Sequence, residues 1–566
     1  MTRPMKLKGV AASIGVAVGP ARVIGRERRR HPRRRLEESE LPVERERFRQ
    51  AVSKSRSEIE TAKRDLTRKH GSTFAPILDV YLLMHEDALL IESISDTIRD
   101  ERINAEWAVS QVAERLKKPL LEDSSPYFRE RARDVEHVCE HLLRHLSGER
   151  RDDAPADGPT VLIAHDLSPA DAVHLLAPPT IGLVTETGAG SSHTAILART
   201  FGVPAVVGVG LSPIAIADDE MVVVDGFAGE VTVGASLDER HAAEARRDRF
   251  MAFLRAERST PAVTRDGSPI SVTANVELPS EVQAAIDNGA EGIGLYRTEF
   301  MCLDRPEPPT EDEQLDLYRS VVAAMAPHRV VFRAFDWRGD KRLRAQDLKR
   351  HERGWLKTQI RAVLRASGEG AVAFMFPMVA TLSEFLQYRA LVEECRTELG
   401  EEVAGFAPVP VGMMVEVPAA ALLADRFAEH ADFFSAGSND LSHYTLAFDR
   451  LDGSTRANPF EPAVLELLAR TVKAANEAEL PCSICGDMAA DPVALGLVLG
   501  LGYRQVSVPV RVLPLVRAII RNLDLRVAAE VASEALDCAS AEEVRELLVD
   551  RLGAELGALW RDQQIV

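Results

Sequence analysis

The stretch ISVTANVELPSEVQAAIDNGAEGIGLYRTEF, residues Ile270 to Phe300, holds two β-rich runs, ISVTANVE and EGIGLYR, with a helical run between them. The alternation continues outward through RVVFRAFD (329–336), VAFMFPMV (372–379), VGMMVEV (411–417), FFSAGSND (433–440), PCSICGDM (481–488) and QVSVPV (505–510). Eight parallel-type strands separated by helices predict a (β/α)8 barrel across residues 262–566. An open doubly wound sheet is the competing architecture, and the count of eight favours the barrel.

The N-terminal half has a different texture. Residues 36–147 read as a helical bundle. Phe48, Val52, Ile59, Ala62 and Leu66 share one face of a first helix. A second helical run covers 75–101, a third begins at a cap, Asn104, and a fourth ends at Gly148. Residues 148–235 alternate TVLIAHDL, TIGLVTET, PAVVGVG and MVVVDGFAGEVTV with helical patterns, giving an α/β domain. Residues 1–35 share that texture and are expected to add strands to it, so that the bundle is an insertion. Residues 236–261 read as a polar linker helix. The expected fold class is therefore multidomain α/β.

At 566 residues the chain is too long for one core. A net charge of −18 argues against nucleic acid as the main partner and suits docking to a basic protein patch. No apolar run is long enough to span a membrane, and the N-terminal stretch reads as strand and turn rather than a signal peptide. Six cysteines make no disulfide framework, so a cytoplasmic protein with reduced thiols is expected. The basic run GRERRRHPRRR, Gly25 to Arg35, reads as a solvated loop rather than an anion site.

Barrel active sites form at the C-terminal strand ends. There the sequence places Arg297, Arg333, Asp336, Arg338, Lys341, Glu416, Asn439, Asp440, Arg450, Cys482, Cys485 and Asp487. Arg297, Arg333 and Arg450 are suited to bidentate bonds with phosphate and carboxylate. Glu416 and Asp440 are hard oxygen ligands, and Mg²⁺ takes one or two protein carboxylates beside phosphate oxygens. The pattern points to a small phosphorylated carboxylic acid bound through Mg²⁺, against the alternative of rim salt bridges. Cys482 fits a buried structural thiol; Cys485 is either that or an acid–base group facing an enolate. In GAGSSH, His193 follows a strand and a flexible turn at the mouth of a helix. Neither a P-loop nor a nucleophile elbow is closed there. Free N–H groups and the helix dipole favour a phosphoryl group on a neutral imidazole.

Together SHTAILAR, AEGIGLYRTEF, MVEVPAA, GSNDLSHYTLAFDR and ICGDMA resemble the Enzyme I family of the phosphoenolpyruvate-dependent sugar phosphotransferase system, over essentially the whole chain. The resemblance implies that His193 takes the phosphoryl group of phosphoenolpyruvate and passes it to a histidine of the carrier protein HPr, docked on the bundle. It implies substrate contacts from Arg297, Arg333, Asn439 and Arg450, and Mg²⁺ on Glu416 and Asp440. Cys485 matches the enolate's proton donor, and Ser168, in HDLSPAD, the hydroxyl that orients the histidine. A swivelling phosphohistidine domain and a homodimer through the barrel are also implied. Two departures stand out. Gly190 occupies a position where the family carries arginine, and the segment after the third barrel strand is shorter than the family's arginine-bearing loop. Arg338 or Arg353 could replace the lost charge; otherwise a catalytically weakened regulatory paralogue is the alternative. A related dikinase would need a nucleotide-binding domain, for which the chain has no room.

Overall fold

The computed structural model describes residues 4–24, 31–70, 76–122, 126–148, 158–188, 192–210, 216–302, 308–336, 345–402, 407–447 and 458–553. Gly190, Arg338, Lys341 and Arg450, and Gly25–Arg30 of the basic run, lie outside them. The chain divides into two units, one reaching Phe250 and one starting at Met251.

The first unit is built on an eight-stranded sheet. Its strands are β1 (Met5–Lys8), β2 (Val10–Ser13), β3 (Val16–Val23), β4 (Thr160–Ala164), β5 (Thr180–Thr185), β6 (Ala205–Val207), β7 (Met221–Asp225) and β8 (Glu230–Val233), in the order β1-β8-β7-β3-β4-β5-β6-β2. Parallel pairing runs from β3 through β6, and the outer pairs are antiparallel. β4 is buried at every residue, as a central parallel strand covered on both faces must be. MVVVDGFAGEVTV folds as a hairpin, β7 to β8, whose turn is fixed by Asp225 Oδ1 accepting from Phe227 N and Ala228 N at 3.0 and 3.1 Å. β3 and β4 are neighbours in register, Ala21 opposite Val161, although more than a hundred residues separate them in the chain. Those residues form the helical insertion: α1 (Leu41–His70), α2 (Pro76–Met84), α3 (Ala88–Glu101), α4 (Ala105–Glu122) and α5 (Pro126–Ser147).

Two sequence expectations are corrected here. The run 75–101 is two helices, because Asp87 takes an extended backbone and its carboxylate accepts from Leu89 N at 2.8 Å, capping α3. Asn104 does precede α4, but its side chain does not cap that helix. Its Oδ1 accepts from Arg34 N and its Nδ2 donates to Pro32 O, stapling the entry segment down at 2.9 Å each. The first N–H of α4, at Ala105, is satisfied instead by Glu44 Oε1 of α1, at 2.8 Å.

Helix α6 (Pro169–Leu175) follows β4, and α7 (His193–Phe201) follows β5. The polar α8 (Leu237–Glu257) runs across the boundary between the units. Few of its side chains are buried; Phe250 meets Phe227 edge-on at 4.9 Å, and Arg246 pairs with Asp225.

The second unit is the closed barrel, settling the choice against an open sheet. Its strands are β9 (Ser271–Val276), β10 (Ile293–Tyr296), β11 (Val330–Arg333), β12 (Val372–Phe376), β13 (Val411–Val415), β14 (Phe434–Ala436), β15 (Cys482–Cys485) and β16 (Gln505–Pro509). Every pairing is parallel, and β16 closes on β9 with Gln505 opposite Ser271. Alternate residues fill two cores. Leu295, Ala373, Met375, Met414, Phe433 and Cys485 form one cluster, and Phe332, Phe374, Phe376 and Phe434 belong to the larger core shared with the helices. Burying each such phenylalanine contributes about 2–3 kcal/mol, so the strands hold their ends firmly.

Candidate functional site

The parallel barrel brings the predicted residues to one rim. Arg297 directly follows β10, Arg333 ends β11, Glu416 follows β13, Asn439 and Asp440 lie in the helix after β14, and Cys485 ends β15.

Arg333 is locked. Its Nη2 donates to Glu299 Oε1 at 2.6 Å, which also accepts from Asp336 N at 3.3 Å. Burial works to lower its pKa, but the carboxylates of Glu299, Glu416 and Asp336 outweigh it, so the guanidinium is held firmly charged. Its Nε and Glu299 Oε2 are buried and find no hydrogen-bond partner among the described residues. Buried polar atoms left so are costly unless a ligand completes them. Beneath Arg333, Gln359, fully buried, donates to Thr298 Oγ1 and accepts from Phe335 N at 2.9 Å each, while Thr298 Oγ1 donates to Arg333 O at 2.9 Å. This polar clamp fixes the end of β11. Arg297 Nη1 lies 3.7 Å from Glu277 Oε2.

Glu416 is 1% exposed, and its Oε1 accepts from Met378 N at 2.6 Å. Met378 sits at φ +57°, a strained conformation for a non-glycine residue that aims its N–H at this carboxylate. A Cβ at Gly437 would stand 2.9 Å from Glu416 Cβ and 3.0 Å from Oε2, so glycine lets the Glu416 side chain pack against the backbone of the next strand end. Asp440, in the first turn of Ser438–Thr445, comes from the neighbouring strand end. These two carboxylates from adjacent strand ends fit the hard-oxygen donor set of Mg²⁺. Among the described residues no group of three or more His, Cys, Asp or Glu side chains forms a metal cluster.

Asn439 Oδ1 accepts from Asp487 N at 3.0 Å. Gly486 is needed for that approach, since its Cβ would lie 2.0 Å from Ser438 Oγ. Cys482 and Cys485 are free, buried thiols. Burial pushes the Cys485 thiol up, with Glu416 in the same direction and Ser435, Arg297 and Arg333 opposing.

His193 is the first residue of α7, as its sequence predicted, and is half-buried. Ser192 caps the helix, its Oγ accepting from Ala195 N at 3.3 Å, and Thr194 Oγ1 ties it to Leu167 O at 2.9 Å. Burial raises the pKa of the Asp134 carboxyl in α5, and a protonated His193 would act in the opposite direction.

Ser168 stands immediately before α6. It caps α6, its Oγ accepting from Asp171 N at 3.1 Å and donating to Asp171 Oδ2 at 2.6 Å. It also meets His141 Nε2 at 3.0 Å. One donor and two acceptor positions are thereby used, which is all a hydroxyl has. Arg144 Nη2 donates to His141 Nδ1 at 3.0 Å, so that nitrogen is the acceptor and Nε2 carries the hydrogen. His141 is thus neutral, in line with the lowering of its pKa by burial. Its neighbour His137 is the opposite case. Tyr81 O–H donates to Asp134 Oδ1 at 2.9 Å and so accepts from His137 Nδ1 at 3.1 Å, while His137 Nε2 faces Asp166 Oδ2 at 3.6 Å. Burial alone would lower His137; Asp166, Glu140 and Asp134 outweigh it and raise it to about 8.

Sequence reasoning missed Glu299, Met378, Gly437 and the α5 histidines. Glu299 was visible within YRTEF; a positive φ at a methionine leaves no sequence signal.

Three family models match the chain: PEP-utilising enzyme, N-terminal, over residues 8–131; mobile domain, over 156–229; and PEP-binding domain, over 252–525. The phosphoenolpyruvate-protein phosphotransferase of Staphylococcus carnosus (strain TM300) is 35% identical over 567 residues, covering 96% of this chain and 98% of that protein. The enzyme of the same name from Bacillus sp. (strain S) is 36% identical over 565 residues, covering 96% and 97%. A solution structure of Enzyme I (nEIt) matches 43% of this chain and 99% of its own at 31% identity, with a TM-score of 0.37. With those relatives aligned along nearly their whole lengths, the chain belongs to the phosphoenolpyruvate-protein phosphotransferase family of PEP-utilising enzymes.

Proposed function

We propose that the protein transfers the phosphoryl group of phosphoenolpyruvate to His193, releasing pyruvate, and then to a histidine of an HPr-like phosphocarrier docked on the helical insertion. The observation that carries this is the convergence of Arg297, Arg333, Glu416, Asn439, Asp440 and Cys485 on one barrel rim. Arg297 and Arg333 bind the phosphate and carboxylate, and Arg333 Nε offers a substrate oxygen a buried donor that no described residue uses. Asn439 and Arg450 complete the substrate contacts. Glu416 and Asp440 hold Mg²⁺, which supplies Lewis-acid charge stabilisation when bound. His193 attacks as neutral imidazole, the P–O bond to the enolate breaks, and the P–N bond forms. Cys485 gives its proton to the enolate carbon, yielding pyruvate. The α7 N-terminus stabilises the phosphoryl group on His193. The chain works in the cytoplasm as a homodimer through the barrel, with residues 1–35 and 148–235 as the swivelling phosphohistidine domain, 36–147 as the carrier-binding bundle, 236–261 as linker and 262–566 as the substrate-binding barrel.

The test is incubation with labelled phosphoenolpyruvate and Mg²⁺, with and without HPr. Acid-labile label on His193 that passes to HPr is the expected result. A folded protein that takes up no label favours the second reading, a weakened regulatory paralogue. That reading draws on the short connection between β11, ending at Arg333, and the next helix, starting at Ala345.

A further inference from the structure

The rim holds one polar contact that the reaction above does not use. Ser435, fully buried in the middle of β14, donates its hydroxyl to Cys485 Sγ on the adjacent β15 at 3.1 Å. The thiol lies 3.6 Å from Ala436 O, the backbone acceptor next along β14. The two strands are in register, Ser435 opposite Ser483 and Ala436 opposite Ile484, so the contact is built into the sheet rather than left to a loop. Sulfur is a weak acceptor. The buried Ser435 hydroxyl thus gives its only proton to an acceptor that becomes strong solely as thiolate.

We infer that Ser435 is a positioning residue for the proton step: its O–H fixes the rotamer of Cys485 and holds the sulfur's negative charge once the thiol proton has left. The inference rests on Cys485 being the enolate's proton donor. In that step the S–H bond breaks, a C–H bond forms at the methylene carbon of the enolate, and the electron pair stays on sulfur. The Ser435 hydroxyl, already directed at that atom, then becomes a charge-assisted donor with no reorganisation. Water returns the proton to sulfur before the next turnover.

The step can be isolated from phosphoryl transfer by following deuterium exchange into the methyl group of pyruvate by NMR, using the full chain with Mg²⁺ in D₂O. In Ser435→Ala, exchange is expected to slow about tenfold, and kcat with phosphoenolpyruvate to fall by a similar factor while KM stays within about twofold. Ser435→Thr, which restores a hydroxyl at the same carbon, returns both rates. A purely structural serine would disturb KM as much as kcat, or would not be rescued by threonine. Wild-type exchange in Ser435→Ala, with Cys485→Ala inactive, overturns the role of Ser435 alone. Wild-type exchange in Cys485→Ala, or none in the parent protein, overturns the donor reading and the inference with it.

Discussion

The barrel rim and the surroundings of α5 set basic side chains beside carboxylates by different means. At the rim the cations are arginines. Arg333, nearly buried, stays charged because Glu299, Glu416 and Asp336 surround it. Along α5 imidazoles take that place: His137, His141 and His145, four residues apart on one helical face, meet Asp166, Asp171 and Glu58, with His137 raised and His141 neutral. A guanidinium holds one state across all working pH, whereas an imidazole beside a carboxylate changes state within it. The rim arginines therefore keep their charge across working pH, whereas His137 in the first unit titrates within it.

The division is broken most severely by His193→Ala. All acid-labile label from phosphoenolpyruvate is expected to disappear. Exchange of pyruvate methyl protons should persist, since that chemistry belongs to the rim. If exchange is lost too, the two regions are not independent. Next comes Arg333→Lys. Lysine keeps the charge but loses the planar fork that meets Glu299 and leaves Nε for a substrate oxygen. A fall of about 10²–10³ in kcat/KM is expected, by analogy with removal of one preorganised donor; a fall of less than fivefold would show that charge alone suffices. Glu299→Gln keeps the shape of the Arg333 anchor and removes its charge. Steady-state kinetics should show about a tenfold loss in kcat/KM, mostly through KM, because a charge-assisted bond becomes a neutral one.

How far the sequence carried these expectations differs between the regions for a physical reason. In the barrel each strand is a short apolar run and each functional residue sits at its end, so finding the strand locates the residue. Arg297, Arg333, Glu416 and Cys485 were legible this way. The shape of the rim was not, because it depends on contacts between distant segments: Glu299 against Arg333, or Met378 N–H against Glu416. In the first unit His193 was legible from its strand–turn–helix context. The α5 histidines were not, since in sequence they lie within an ordinary amphipathic helix. Their carboxylate partners come from distant segments, Glu58 in α1 and Asp166 and Asp171 after β4. Ser168 shows the same limit. Its place before α6 was readable, but its contact with His141 comes from a helix near the end of the insertion.

The smallest expected effect tests the titratable side directly. His137 is raised from its ordinary 6.5 to about 8, so the folded protein binds that proton more tightly than the unfolded chain. The stability this contributes is fully present below pH 6.5 and is lost as pH rises through about 8. Its size is about 1–2 kcal/mol, from 1.4 kcal/mol per pKa unit. His141 and His85 are lowered by burial and act with the opposite sign. Their contribution is present above pH 6.5 and is lost as pH falls below it and the buried rings are forced to take a proton. Urea midpoints measured from pH 6 to 9 should therefore decline on the alkaline side in the parent protein. In His137→Gln, which keeps a hydrogen-bonding side chain without the titration, that decline should flatten while the acid-side loss remains. An unchanged alkaline slope would mean that Asp166 and Asp134 do not hold the His137 proton, and the contrast with the rim would then rest on His141 and His85 alone.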